Sequence, residues 1–171
     1  MSESFEINDP TLFTTGAVGP PGQRVFYLQV ADDEQVVTLR LEKQQVVALC
    51  DHLEAMMADL PVVGAGPGHG GDLREPTEEA WIVGALGVAY EHADDRILIV
   101  AEEMVVGDDD DEDLGLFGSE PQGATARFRV PRSMVAEFIT LGLDVASSGR
   151  PLCDLCGNPM DPQGHPCPRL N

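Results

Sequence analysis

Between Arg150 and Asn171 the chain places Cys153, Cys156, His165 and Cys167 among seven prolines and glycines. Leu152, Leu155, Met160 and Leu170 are the apolar groups there, too few for a core, and a segment below about forty residues generally needs a metal or disulfides to hold a shape. Two thiolates three positions apart reach one ion, and Gly157 after the second lets the backbone turn beneath the sulfurs. His165-Pro166-Cys167 would close the tetrahedron from the other side. A set of three cysteines and one histidine fits structural zinc and leaves no coordination position for water or substrate. Zinc is the expected cofactor, with Cys153, Cys156, His165 and Cys167 as its ligands.

The other 149 residues hold the material for one core, because 43% of the 171 residues belong to the hydrophobic set. The spacing predicts an α+β core domain over 1–149 and a zinc-binding tail over 150–171. Phe5 to Asn8 and Leu12 to Val18 read as short strands around the turn-forming Asp9-Pro10. Arg24 to Val30 and Val36 to Glu42 form a hairpin. In its second strand Val37, Leu39 and Leu41 point one way and Thr38 and Arg40 the other, which leaves one wet face. From Lys43 the period changes. Val46, Cys50, Leu53, Met57 and Leu60 recur on one face of a helix that ends at Pro61 and lies on that hairpin, with Cys50 a buried small hydrophobe.

Trp81 to Glu91 and Arg96 to Val106 are apolar strands joined by a compact turn, expected at the centre of the sheet and covered on both faces. Gly84 and Gly87 suggest a bulge or a close backbone approach. Ala124 to Val130 is a further strand, and Pro131 opens a helix whose predicted face is Met134, Phe138, Leu141 and Val145. Thr38 to Leu53 and Thr125 to Leu141 echo one another with one extra residue between strand and helix in the second copy. The expected fold is therefore α+β, a mainly antiparallel sheet with two helices on one face, built on a duplicated ββα unit and ending in a zinc knuckle. The two N-terminal strands are expected over the other face.

Catalytic templates are absent from the sequence, and no catalytic residue is assigned. Gly66 to Gly71 has the spacing of a dinucleotide loop, but it follows a helix and Pro61 and precedes Pro76, so the strand and helix that would hold a pyrophosphate are missing. Asp108 to Asp113 repels itself and lacks the alternation of a calcium loop, so residues 107–123 read as an acidic, flexible, solvated loop. His52, His69 and His92 read as surface or loop residues. Glu102 and Glu103, adjacent in a strand, point to opposite faces, so one of them must face inward.

With 30 acidic and 10 basic side chains the formal charge is −20, which opposes a phosphate backbone, so nucleic acid is not an expected partner. No apolar run reaches the length of a membrane helix, and the first ten residues show neither a basic nor an apolar leader region. A cytoplasmic location without membrane attachment is expected.

The ending Cys-Asp-Leu-Cys-Gly-Asn-Pro-Met-Asp-Pro-Gln-Gly-His-Pro-Cys-Pro-Arg-Leu-Asn, the early Phe-Glu-Ile-Asn-Asp-Pro and the strand Arg-Val-Phe-Tyr-Leu-Gln resemble an uncharacterised actinobacterial family, domain-of-unknown-function family 3090. The likeness spans essentially the full chain. It implies no assigned activity; members encoded beside a phosphoinositide-kinase-like and a histidine-phosphatase-like protein imply a shared pathway. The expected function is a zinc-binding, non-enzymatic adaptor or regulatory protein that docks a protein partner, with a kinase-like one as candidate. The alternative is an enzyme whose site lies in the core, with the glycine-rich loop 64–71 as a lid and His69, Glu102 or Glu103 as acid–base groups.

Overall fold

The computed structural model describes residues 2–64, 66, 71–106, 123–149, 151–158, 160 and 164–170. In chain order the elements are β1 (Phe5–Ile7), β2 (Leu12–Val18), β3 (Val25–Ala31), β4 (Val36–Leu41), α1 (Lys43–Ala58), β5 (Trp81–Glu91), β6 (Arg96–Glu103), β7 (Thr125–Pro131) and α2 (Arg132–Ser147). The strands form one sheet in the order β1-β7-β6-β5-β4-β3-β2. The two N-terminal strands therefore extend its opposite edges instead of covering a face. All pairings are antiparallel except β1 with β7 and β4 with β5.

The duplicated unit is larger than the expected ββα. Three antiparallel strands followed by a helix occur twice, as β2-β3-β4-α1 and β5-β6-β7-α2, and their registers coincide. Phe26, Leu28 and Val30 face Leu41, Leu39 and Val37; Ile97, Ile99 and Ala101 face Val130, Phe128 and Ala126. Lys43 begins α1 two positions after Leu41, as Arg132 begins α2 two positions after Val130, so no extra residue separates the copies. In this register the four buried residues of α1, Val46, Leu49, Cys50 and Leu53, fall on Val135, Phe138, Ile139 and Gly142, all buried in α2. The burial stripe of α2 thus differs from the predicted one: Leu141 and Val145 are only half-buried, because Gly142 and Ala146 allow the closer helix approach.

Parallel pairing joins the two units through Leu39 with Trp81 and Arg40 with Ile82. The backbone of α1 runs closest to α2 and β5, its buried residues share one core with those of the first hairpin, and α2 contacts β2 as well as β6 and β7. In a flat sheet β7 and β2 would lie about 24 Å apart at roughly 4.8 Å per strand. Phe138, six residues into α2 and so about 9 Å along it, already stacks on Phe13 of β2 with ring centroids 4.2 Å apart. The sheet must therefore curl around the helices, and Phe13, Phe128 and Phe138 are fully buried inside that curl.

The opposite face of the first unit is not wet. Thr14, Gln29 and Thr38 are buried there, covered by the segment that follows α1. Thr14 Oγ1 donates to the Gly71 carbonyl at 2.5 Å, and a Cβ on Gly16 would meet the Leu73 side chain at 2.7 Å. The Gln29 amide accepts from the Arg74 N–H at 2.7 Å and donates to its carbonyl at 3.0 Å, as a strand neighbour would. The central strand β5 is barer than its composition suggests: Gly84, Ala85 and Gly87 are exposed and Leu86 and Val88 only half-buried. The register shifts between Val83 and Ala85, so Gly84 marks the expected bulge, and a Cβ there would stand 2.9 Å from the Met104 backbone. The acidic run Asp108 to Asp113 lies outside the described residues.

Candidate metal centre

Beyond the C-cap of α2 at Ser148 the chain turns into a short loop whose backbone is closed on itself. The Met160 N–H donates to the Pro151 carbonyl and the Cys153 N–H to the Asn158 carbonyl, both at 2.8 Å. Inside that bracket the Gly157 N–H reaches the Cys153 carbonyl at 2.8 Å. This closure requires the left-handed backbone that Gly157 adopts at φ +73°, which a side chain would strain. Gly164, at φ +93°, makes the corresponding turn ahead of His165.

These turns bring the four expected residues together. One ligand atom from each of Cys153, Cys156, His165 and Cys167 lies within 4.8 Å of all the others. The Cys153 and Cys167 sulfurs are 3.9 Å apart, and Cys156 Sγ is 3.2 Å from His165 Nε2. Around a tetrahedral ion with metal–sulfur bonds of about 2.3 Å and metal–nitrogen bonds of about 2.0 Å, the expected separations are about 3.8 Å and 3.5 Å. A disulfide would need sulfurs roughly 2.05 Å apart, so the three tail thiols are free. Cys153 and Cys167 are buried, and Cys156 and His165 half-buried. The cluster can hold a metal ion.

The backbone also prepares the sulfurs electrically. The amides of Cys156 and Leu155 hydrogen-bond to Cys153 and hold its thiol below the ordinary range. Cys156 receives the Asn158 amide, which favours its thiolate, yet burial and the neighbouring Cys167 and Cys153 push it up overall. Three sulfurs at this spacing oppose one another's ionisation, and a cation among them removes that opposition. The amide donors Leu155 and Asn158 carried no sequence signal, since any residue supplies an N–H; only Gly157 marks the turn that aims them.

Among the described residues, His52, His92, Glu102 and Glu103 form no common cluster. His52 is exposed, with Nδ1 3.3 Å from the Ala48 carbonyl. His92 is exposed and meets Tyr90 edge-on at 4.5 Å. Glu102 is exposed, while Glu103 accepts from the Ser2 hydroxyl at 2.5 Å and the Ala124 N–H at 2.9 Å. Those donors hold the Glu103 carboxyl low, Ser2 most of all, so it is an ionised structural acceptor. His69 and most of the 64–71 loop lie outside the described residues. Among those described, no helix is long and apolar enough to cross a membrane.

A family model described as a protein of unknown function (DUF3090) matches residues 5–167, from the first residue of β1 to the last cysteine of the cluster. No curated protein and no solved structure matches the chain.

Proposed function

The chain belongs to this family of unassigned function, and from that premise we propose that it is a non-enzymatic zinc-binding adaptor that docks a protein partner through its C-terminal knuckle. The observation that carries the reading is the donor set itself, three sulfurs and one imidazole nitrogen within 4.8 Å of one another. Thiolate and imidazole donors at tetrahedral spacing suit zinc better than the oxygen-seeking cations, and four protein ligands fill its coordination. The ion would hold the knuckle's shape and take no substrate.

Support for docking comes from what surrounds the cluster. Leu152, Leu155 and Leu170 are 62%, 50% and 73% exposed, three large apolar groups on a segment too small to bury them. Asp154 and Arg169 are the charged residues described beside them, so this surface is near neutral on a chain whose formal charge is −20. An apolar, weakly charged surface on a rigid knuckle suits a protein interface more than a nucleic acid. The kinase-like protein implied by the family resemblance is the first bait to try.

Elemental analysis of the purified protein is expected to find one zinc per chain. A metal-free protein with all four donors intact overturns the proposal. Binding to the kinase-like protein should fall in Leu155→Ala while zinc is retained; a partner held equally well by this variant and by Cys156→Ser would place docking elsewhere.

A further inference from the structure

The second unit shows how this fold treats the charge at the start of its helix. Asp95 immediately precedes β6 and Arg132 is the first residue of α2. Arg132 Nε donates to Asp95 Oδ1 at 2.7 Å and Nη2 to Oδ2 at 3.2 Å. The register shared by the two units puts Arg24, immediately before β3, in the position of Asp95, and Lys43, first in α1, in that of Arg132. Where one unit pairs a cation with a carboxylate, the other brings two cations.

Neither cation has a carboxylate partner among the described residues. Arg24 Nη1 donates to the Ser148 hydroxyl at 2.9 Å. Ion pairs form elsewhere, at Arg40, Arg96, Arg129 and Arg132. Lys43 is the only lysine in the chain. Arg24 and Lys43 line a cavity of about 630 Å³, together with Phe26, Ser147, Gly149 and Leu152, and no acidic residue is among the described residues that line it. That volume falls within the range of small-molecule sites, roughly 300–1,000 Å³.

From this mismatch between equivalent positions we infer that the cavity binds an organic oxyanion, a carboxylate or a phosphate ester. Its charged group occupies the place that Asp95 fills in the second unit, and its apolar body lies against Phe26 and Leu152. The formal charge of −20 does not forbid this, because charges beyond about 8 Å are largely screened at physiological salt, and the charged side chains described in the lining are the two cations. The two cations also stand at the C-terminal end of α2, whose carbonyls attract positive charge. That role predicts effects on stability and none on ligand binding.

The test titrates the full-length protein with benzoate, phenyl phosphate and, as a cationic control of similar shape, benzylamine, following backbone amide shifts by NMR. The anions should saturate with shifts at Arg24, Lys43 and Ser147 to Gly149, and bind at least tenfold tighter than benzylamine. The tighter of the two identifies the carboxylate or the phosphate ester as the natural chemistry. Arg24→Asp recreates the pairing of the second unit and should weaken anion binding at least tenfold while leaving the fold at least as stable. Lys43→Ala, at an exposed position, should also weaken it. Absence of saturable anion binding, equal binding of benzylamine, or unchanged binding in both variants overturns the inference.

Discussion

Gly142 of α2 sits so close to Cys50 of α1 that a Cβ at position 142 would stand 2.5 Å from the cysteine sulfur. The two helices can approach this closely only because one surface offers no side chain. Gly142→Ala is therefore expected to destabilise the fold despite its better helix propensity, by about 1–3 kcal/mol as for other overpacked cores. Cys50→Ala opens the required space, so in the double variant the cost should fall below the sum of the single ones. Chemical denaturation of the four proteins measures the coupling; additive effects would show that the helices can separate freely.

The same burial acts on the Cys50 thiol, which desolvation, with smaller contributions from Asp51 and Glu54, pushes up to about 11. The fold binds this proton more tightly than the unfolded chain does. Its contribution to stability is complete below the ordinary thiol range and is lost as pH rises from about 9 towards 11. In Cys50→Ala that alkaline loss should be smaller. Under native conditions at pH 8 iodoacetamide should leave Cys50 unmodified while the denatured protein reacts, a difference read by mass spectrometry.

Gln29 holds the segment after α1 onto the sheet through both Arg74 backbone groups and reaches Thr38 Oγ1 at 3.1 Å. Gln29→Met keeps the length of the side chain but strands these polar groups, at a cost of about 1–3 kcal/mol. Hydrogen exchange should rise at Arg74 and the residues beside it more than in the β5–β6 hairpin. Uniform protection would mean that Leu73 over Gly16 suffices to hold the segment.

What the sequence made legible was local. The alternation of Val37, Leu39 and Leu41, the four-three spacing of Val46, Cys50 and Leu53, and the Gly84 bulge each report on their immediate neighbours, and the structure shows all three. The pairing of Phe5 with Ala126 and of Leu39 with Trp81 has no such signal, because parallel strands far apart in the chain share no turn. Thr38 looked solvent-facing because its face is covered by Gln29 and by a segment that Gln29 holds through Arg74 backbone groups, which leave no trace in residue type. In α2 Leu141 and Val145 outweighed Gly142 and Ala146 in apolar content, yet small residues mark where helices meet; Met134 and Phe138 of the expected face are buried. The tail cysteines and histidine were the most legible feature, since their spacing alone limits what they can surround.

Asp95 has left-handed backbone, φ 51°, and its carboxylate accepts from Tyr90 Oη at 2.6 Å as well as from Arg132. Tyr90 first and Arg132 second hold its carboxyl below the ordinary range. The stabilisation is thus present above the unfolded carboxyl value, near pH 4, and is lost as pH falls through the lower folded value. Asp95→Asn keeps a residue that tolerates this backbone and removes the charge facing a buried guanidinium. Thermal unfolding at pH 7 should fall by a few degrees, and the difference from the parent should shrink with acidification. A constant difference across pH would assign the effect to shape instead of charge.

The knuckle supplies the last expectation. Structural zinc in small peptides contributes roughly 10–16 kcal/mol of apparent binding free energy at pH 7, so losing one ligand of four removes about 3 kcal/mol, near a hundredfold in affinity. Cys156→Ser should therefore release zinc to a competing chelator that leaves the parent loaded. His165→Ala should lose less, because a neutral imidazole contributes less charge than a thiolate. If the metal orders only the tail, amide shifts in Cys156→Ser should change from Leu152 onward and at the neighbouring Arg24 and Phe26, while β5, β6 and β7 keep theirs. Collapse of the whole spectrum would show the knuckle to be part of the core's folding unit. Unchanged zinc affinity in His165→Ala would mean that the 3.2 Å approach of His165 Nε2 to Cys156 Sγ is packing without coordination.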